Sequence, residues 1–261
     1  MEFNIKKEEL SICLNKILGV VEKRQTLPIL ANAHISVSEG NLEIKATDLE
    51  SEISASTNKV KIKESGVCTA PAKKLNELTR LFKDDADINL CLEKKNLIVQ
   101  TSSGKYSLTT LPDDDFPEFD SEEGLEVFEI NGKNILSLIN QTSFAMGNQE
   151  WRHFLNGLYV SFDGGKLTGV ATDAHRLAIT TLSTECKNDQ SASGIIPRKS
   201  VFEIQKISAE EKSNISFSLG KNIVSIKSKS VSFASKLIEG TFPPYEQVIP
   251  NGESQLLKVG K

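Results

Sequence analysis

One pattern is written twice in this chain, and the copies lie 125 residues apart, measured from Asp48 to Asp173. Ile35-Ser-Val-Ser-Glu-Gly-Asn-Leu-Glu-Ile-Lys-Ala-Thr-Asp48 aligns with Val160-Ser-Phe-Asp-Gly-Gly-Lys-Leu-Thr-Gly-Val-Ala-Thr-Asp173. Three further anchors keep that register to within one residue: Pro71-Ala-Lys-Lys74 with Pro197-Arg-Lys-Ser200, Lys95-Asn-Leu-Ile-Val99 with Lys221-Asn-Ile-Val-Ser225, and Phe116-Pro117 with Phe242-Pro243. A constant offset through separated segments is the mark of duplicated structural units, so the chain must fold as at least two copies of one design. Its 261 residues suit two domains of ordinary size.

The repeat divides the chain into expected units of 1–124 and 125–250, with 251–261 opening a third. Leu257-Lys-Val-Gly-Lys261 has the apolar-polar-apolar form of Phe3-Asn-Ile-Lys-Lys7 and Phe128-Glu-Ile-Asn-Gly132, and it stands where a third copy should begin. Each unit opens with a short strand, Glu2 to Ile5 and Val127 to Ile130. A helix follows, over roughly 7–22 in the first unit from Leu10, Cys13, Leu14, Ile17, Leu18 and Val21. A second helix follows each proline anchor. The first carries Leu75, Leu78 and Phe82 inward and Lys73, Asn76, Arg80 and Lys83 outward; the other carries Val201, Ile204 and Ile207 inward. Period-two alternation over His34–Val37, Leu42–Ala46, Ile53–Thr57, Ile88–Leu92, Leu97–Gln100 and Tyr106–Leu111 marks strands. The expected class is α+β, tandem strand-rich units each with two helices on one side of antiparallel sheets.

Composition removes several classes of function. No apolar run approaches the ~20 residues of a membrane span, and the N-terminus lacks a secretory signal, so a cytoplasmic protein without membrane attachment is expected. Cys13, Cys68, Cys91 and Cys186 show no CxxC spacing, which argues against a zinc site or a disulfide framework; no metal and no cofactor are expected. Asp173 and His175 could serve an enzyme built on duplicated domains. The matching Ala46-Thr-Asp48 has no histidine, so Thr-Asp more naturally fixes a turn. With a net charge of −4, any nucleic-acid contact must use a local basic surface. Such residues gather by the helices: Lys73, Lys74, Arg80 and Lys83, then Arg198 and Lys199. They could equally be an ordinary solvated helix face. Gln149-Glu-Trp-Arg-His-Phe154 combines polar, basic and aromatic groups that suit a sugar-phosphate backbone or an unpaired base, or else Trp151 or Phe154 packs at the entrance of the next strand.

Thr26-Leu-Pro-Ile-Leu30, Ala46-Thr-Asp-Leu-Glu50, Leu155-Asn-Gly157, Ala171-Thr-Asp-Ala-His-Arg-Leu-Ala178, Ile196-Pro-Arg-Lys199 and Gly240-Thr-Phe-Pro-Pro-Tyr245, in this order, resemble the bacterial DNA polymerase III beta subunit family, the replicative sliding clamps. The resemblance implies a non-catalytic processivity factor, with three clamp domains per subunit and two subunits closing a ring around duplex DNA without reading its sequence. It implies as partners the replicative polymerase, the clamp loader and other proteins bearing a clamp-docking motif. DNA-facing positions would be Arg24, Lys73, Gln149, Arg152, His153, Phe154, Arg198 and Lys199, with His153 and Phe154 standing where tyrosines are often found. The partner-peptide pocket would comprise Leu155, Thr172, Ala174, His175, Arg176, Leu177, Pro243, Gln247 and Val248. Ala174 replaces a common glycine there, and Gln247 a common arginine. Lys74, Lys105, Tyr106 and Leu108 would meet the partner subunit. Without the rest of a third domain the 261-residue chain is expected not to close that ring. A two-domain clamp of the kind that trimerises is the alternative within the class.

Overall fold

The computed structural model describes residues 1–21, 27–119, 126–184, 191–211 and 213–250. The opening of a third unit at Leu257 and the expected DNA contact Arg24 lie outside the described residues. The first repeat begins β1 (Glu2–Lys6), α1 (Lys7–Ile17), β2 (Asn32–Ser38), β3 (Asn41–Thr47) and β4 (Ser51–Thr57). It continues β5 (Val60–Glu64), β6 (Gly66–Pro71), α2 (Ala72–Leu81), β7 (Asp87–Glu93), β8 (Asn96–Thr101) and β9 (Gly104–Thr109). The second repeat runs in the same order: β10 (Glu126–Asn131), α3 (Gly132–Thr142), β11 (Gly157–Asp163), β12 (Lys166–Thr172) and β13 (Leu177–Ser183). Then come β14 (Ala192–Pro197), α4 (Arg198–Glu210), β15 (Asn214–Leu219), β16 (Ile223–Lys227) and β17 (Val231–Lys236).

The helices are where the periodicity places them because their apolar faces are buried: Leu10, Leu14 and Ile17 on α1, Leu75 and Leu78 on α2, Val201 and Ile204 on α4. Helix α1 stops at Ile17, four residues short of Val21 and so short of the expected end near 22. Val20 and Val21 are buried, but through a turn rather than a further helical turn. That turn holds Gly19, where an added Cβ would sit 2.2 Å from a carboxylate oxygen of Glu203 on α4. A side chain at this point would push the Glu203 carboxylate aside. Pro71 and Pro197 end β6 and β14 and start the following helices, their fixed φ of −57° and −56° setting the corner. Asn76 does not join the outward face of α2: it is buried, and its Oδ1 has no partner. Its position in the helix turns it toward the interior beside Leu75 and Thr79.

All the sheets are antiparallel, in strand order β5-β1-β7-β8-β9, β10-β15-β16-β17-β4-β3-β2-β6 and β13-β12-β11-β14. The eight-stranded sheet crosses from one repeat to the other where β17 pairs with β4, setting Phe233 opposite Ile53 and Ser235 opposite Ser51. Both Phe233 and Ile53 are buried, and the seam extends through Ser56 N–H to Ser230 O at 3.0 Å and Lys236 N–H to Glu50 O at 2.9 Å. Side chains reinforce it. Ser200 on α4 meets Ser235 at 2.6 Å, and Lys199 Nζ donates to Asp48 Oδ2 at 2.5 Å. By the duplication, β9 corresponds to β17 and β13 to β4, and β9 and β13 are sheet edges.

Asp48 shows how firmly the repeats are tied. Burial pushes its pKa up, but the Lys199 ammonium and the Ser51 N–H and hydroxyl outweigh that and hold the carboxyl below its ordinary value. A depressed folded-state pKa stabilises above the ordinary aspartate range near pH 4, and the benefit disappears as pH falls through the folded value. Asp48→Asn keeps an oxygen for the Ser51 and Glu50 amides while removing the ion pair. Because Lys199 retains 40% side-chain exposure and is screened, the variant should lose about 1 kcal/mol at neutral pH. Urea midpoints of variant and wild type should converge under acid.

Candidate functional site

The Thr-Asp shared by both repeats builds the same turn twice. Thr47 Oγ1 donates to Ser51 O and accepts from Leu49 N–H, while Asp48 Oδ1 accepts from Glu50 N–H and Ser51 N–H. Thr172 Oγ1 donates to Arg176 O and accepts from Ala174 N–H, and Asp173 Oδ1 accepts from His175 N–H and Arg176 N–H. The residue after each aspartate is left-handed, Leu49 at φ 74° and Ala174 at φ 70°. The turn is architectural in both copies. Asp173 also accepts from Arg176 Nε at 2.9 Å, and these bonds, the His175 amide first, hold its carboxyl below the usual range. Its oxygens are engaged by backbone and arginine, so Asp173 and His175 do not form an acid-base couple.

In the second repeat the turn forms one wall of a cavity of about 400 Å³. Leu155, Thr172, Ala174, His175, Arg176 and Leu177 meet Pro243 and Val248 there, so eight of the nine positions expected for a peptide pocket line one space. Gln247 is exposed next to Val248 and does not line it. Arg152, Pro244 and Tyr245 line it as well; Tyr245 lies within the Gly240–Tyr245 motif and repeats Phe119 of the first unit. The floor is a separate apolar cluster of Val170, Ile195 and Phe242, with Phe154, Tyr159, Leu177 and Tyr245 packed on it, and the Tyr159 and Phe242 rings stack at 5.0 Å.

The first repeat has a cleft at the corresponding place, of about 750 Å³. Where the second repeat has Tyr159, Val170 and Leu177, it has His34, Lys45 and Glu52, edged by Asp113, Asp114 and Asp115. Burial, then the Lys45 charge, lowers the His34 pKa, while burial raises that of Glu52. At these three positions the second repeat carries apolar or aromatic side chains and the first carries titratable ones, on the same backbone plan.

The residues expected to face DNA are distributed around the 147–156 loop and the starts of α2 and α4. Gln149 and His153 are exposed, and Gln149 is left-handed at φ 59°. Asn156 fixes the loop, accepting from Glu150 N–H at 2.9 Å and donating to Glu150 O at 2.8 Å. Arg198 is half-buried and donates from Nη1 to Met146 O at 3.2 Å, with its guanidinium 5.2 Å from the Phe202 ring centroid. Lys199 is held by Asp48, Lys73 is half-buried, and Arg152 is half-buried with an Nε that has no protein partner. Phe154 turns into the apolar cluster, whereas Trp151 is 80% exposed. The two aromatic residues thus part company.

Lys105, Tyr106 and Leu108 lie along the β9 edge. Lys105 and Tyr106 are exposed, Leu108 packs partly on the core, and the Tyr106 ring is 5.7 Å from that of Phe82. Lys74 is exposed at the start of α2. Lys105 Nζ lies 3.5 Å from Glu93 Oε1 on β7.

Two family descriptions match the chain: DNA polymerase III beta subunit, N-terminal domain, over residues 1–120, and the central domain of the same subunit over residues 129–244. The Beta sliding clamp of Pseudomonas aeruginosa is 35% identical over 257 residues, 98% of this chain and 70% of that protein. That of Escherichia coli K12 is 34% identical over 260 residues, covering all of this chain and 71% of the relative. The crystal structure of the DNA polymerase III subunit beta from Pseudomonas aeruginosa superposes with a TM-score of 0.93 at 35% identity, over 97% of this chain and 69% of that one. The Caulobacter crescentus pol III beta structure gives 0.91 at 33%, over 97% and 70%.

The chain belongs to the DNA polymerase III beta subunit family, the beta sliding clamps. Its function is that of a DNA sliding clamp, a processivity factor rather than a catalyst, which sets aside both the enzyme reading of Asp173 and His175 and the two-domain clamp. Clamps of this family work with DNA and a polymerase. Among the described residues no helix is long and apolar enough to cross a membrane. Against the clamp background, Ala174 is a strained choice: its Cβ sits at φ 70°, a conformation that disfavours every side chain. Ala174→Gly should raise stability by about 0.5–1 kcal/mol, the relief of strain exceeding the added chain entropy. A higher urea midpoint with an unchanged slope would register it.

Proposed function

We propose that this clamp encircles duplex DNA through the helix side of its repeats and docks partner proteins in the cavity of the second repeat. The observation that carries the reading is the β17–β4 seam. It shows how one clamp unit joins the next, last strand of the later unit on the fourth strand of the earlier, and it leaves the equivalent strands β9 and β13 as edges. Head-to-tail joining of this kind closes into a ring when the rotation permits. A third unit, beginning near residue 251 after units at 1–124 and 125–250, would place its last strand on β13. The β9 edge with Lys105, Tyr106, Leu108 and nearby Lys74 would then meet the third unit of a second subunit, giving a homodimeric ring in the cytoplasm.

A ring that must slide needs weak, sequence-blind contacts to phosphate, and positive side chains half-restrained by the protein suit that better than a tight base-reading surface. Arg24, Lys73, Gln149, Arg152, His153, Arg198 and Lys199 are assigned to this surface, with Phe154 bracing the loop from behind. The replicative polymerase, the clamp loader and other docking proteins would share the cavity. Leu155, Leu177, Pro243 and Val248 supply apolar contact for an extended peptide, and Thr172, His175 and Arg176 supply polar contact at its rim. Gln247 brings no charge to an incoming acidic group.

The full-length gene product, loaded by its clamp loader, should remain on circular DNA and run off linear DNA; equal retention on both would contradict encirclement. Leu177→Ala combined with Pro243→Ala should weaken a clamp-docking peptide at least tenfold in fluorescence anisotropy while leaving the circular dichroism spectrum unchanged. Unchanged peptide affinity would remove the cavity from the docking role.

A further inference from the structure

We propose that Trp151 is a stacking platform for an unpaired base, so that the 147–156 loop, whose other residues face duplex or line the docking cavity, adds through this one ring a contact for single-stranded DNA. Trp151 is the one tryptophan of the chain, and at 80% exposed it is the most exposed large apolar side chain among the described residues. It does not line the docking cavity. Its neighbour Phe154, three residues on, found cover in the Phe242 cluster; Trp151 did not.

The ring is presented by a built loop. Asn156 bridges both backbone polar groups of Glu150, and Gly147 N–H donates to Leu155 O at 2.8 Å. A Cβ on Gly147 would lie 2.8 Å from Glu150 Cγ and 2.9 Å from Leu155 O, so the base of the loop closes only on glycine. Arg198 ties the same corner to α4 through Met146 O and Gly147 O. Glu150, the carboxylate beside the ring, carries its side chain back over Gly147. The Arg152 guanidinium lies 5.4 Å from the Trp151 ring centroid and backs the ring with positive charge. The ring's exposure leaves it open to a further flat partner.

A flat aromatic surface beside arginine and histidine is the pairing that single-strand binding proteins use, because every base has a π-face and every nucleotide a phosphate. Bases inside a duplex are stacked on each other and offer no face, so an exposed ring here selects unpaired nucleotides. The inference rests on the DNA-facing reading of this loop given above.

The single tryptophan makes the test direct. Thymidine oligonucleotide titrated into the chain at low salt should quench the tryptophan emission, while a duplex of equal length should leave it nearly unchanged. Trp151→Ala should weaken oligothymidine binding about 5- to 100-fold by anisotropy, the range expected for one stacked base. The salt slope should stay the same, since no phosphate contact is removed. Trp151→Phe should recover part of the affinity, which shows that the loop is intact. Oligothymidine binding that leaves the emission unmoved, or an alanine variant that binds as tightly as wild type, would overturn the platform while leaving the duplex surface standing. Emission that responds only to a clamp-docking peptide would assign the ring to a protein partner and overturn it equally. Absence of binding to either DNA would overturn the platform and the DNA-facing assignment of the loop together.

Discussion

The pairing of β17 with β4 turns two repeats into parts of one sheet, and the rest of the architecture depends on it. Isolated, each repeat would expose a strand edge of the kind that invites uncontrolled pairing. Joined, the repeats bury Phe233 against Ile53 and set Gly19 against Glu203, Ser235 against Ser200 and Asp48 against Lys199. The seam thereby fixes the angle between the helix pairs that a ring must present to DNA. It also makes the edges at β9 and β13 meaningful, since each repeats one half of a junction already formed inside the chain.

Duplication supplied one backbone plan and left side chains free to diverge on it. The Thr-Asp turn is the same in both copies down to its hydrogen bonds, so it belongs to the plan. The clefts beside it differ: Leu177 edges one and packs with Tyr159 on the apolar cluster of Val170, whereas His34, Lys45 and Glu52 line the other. An apolar docking motif gains from entering the first and must desolvate charge to enter the second. Three substitutions on a shared frame separate the two clefts.

Much of this was legible in the order of residues. Period-3.6 faces placed α1 and α2, and alternation placed β2, β3 and β4, because burial of an amphipathic face is a local signal. The family resemblance carried by the motifs around Asp173 and Pro243 implied one group of residues, and eight of those nine line the cavity, Gln247 excepted. What the sequence hid was non-local. Val21 reads as helical but is buried after a turn, at Gly19, against which the Glu203 carboxylate of the second repeat lies. Asn76 reads as a polar surface residue and is buried, and Lys199 reads as a free cation and is held by Asp48. The seam itself has no signature within either strand, since both faces of Phe233 and Ile53 would look the same in any buried sheet. Trp151 was open between packing and exposure, and only the placement of its ring decided for exposure.

Native-state hydrogen exchange of the seam amides tests most directly the claim that one continuous sheet joins the repeats. The amides of Ser56 and Lys236, which donate across the junction to Ser230 O and Glu50 O, read against those of Phe217 in β15 and Ile44 in β3, report whether the junction opens with the cores or before them. In a continuous sheet the seam amides are protected to nearly the same degree as the strands on either side. Seam amides that exchange at the rate of exposed loops, while Phe217 and Ile44 stay protected, would mean two independent units in casual contact and would contradict it.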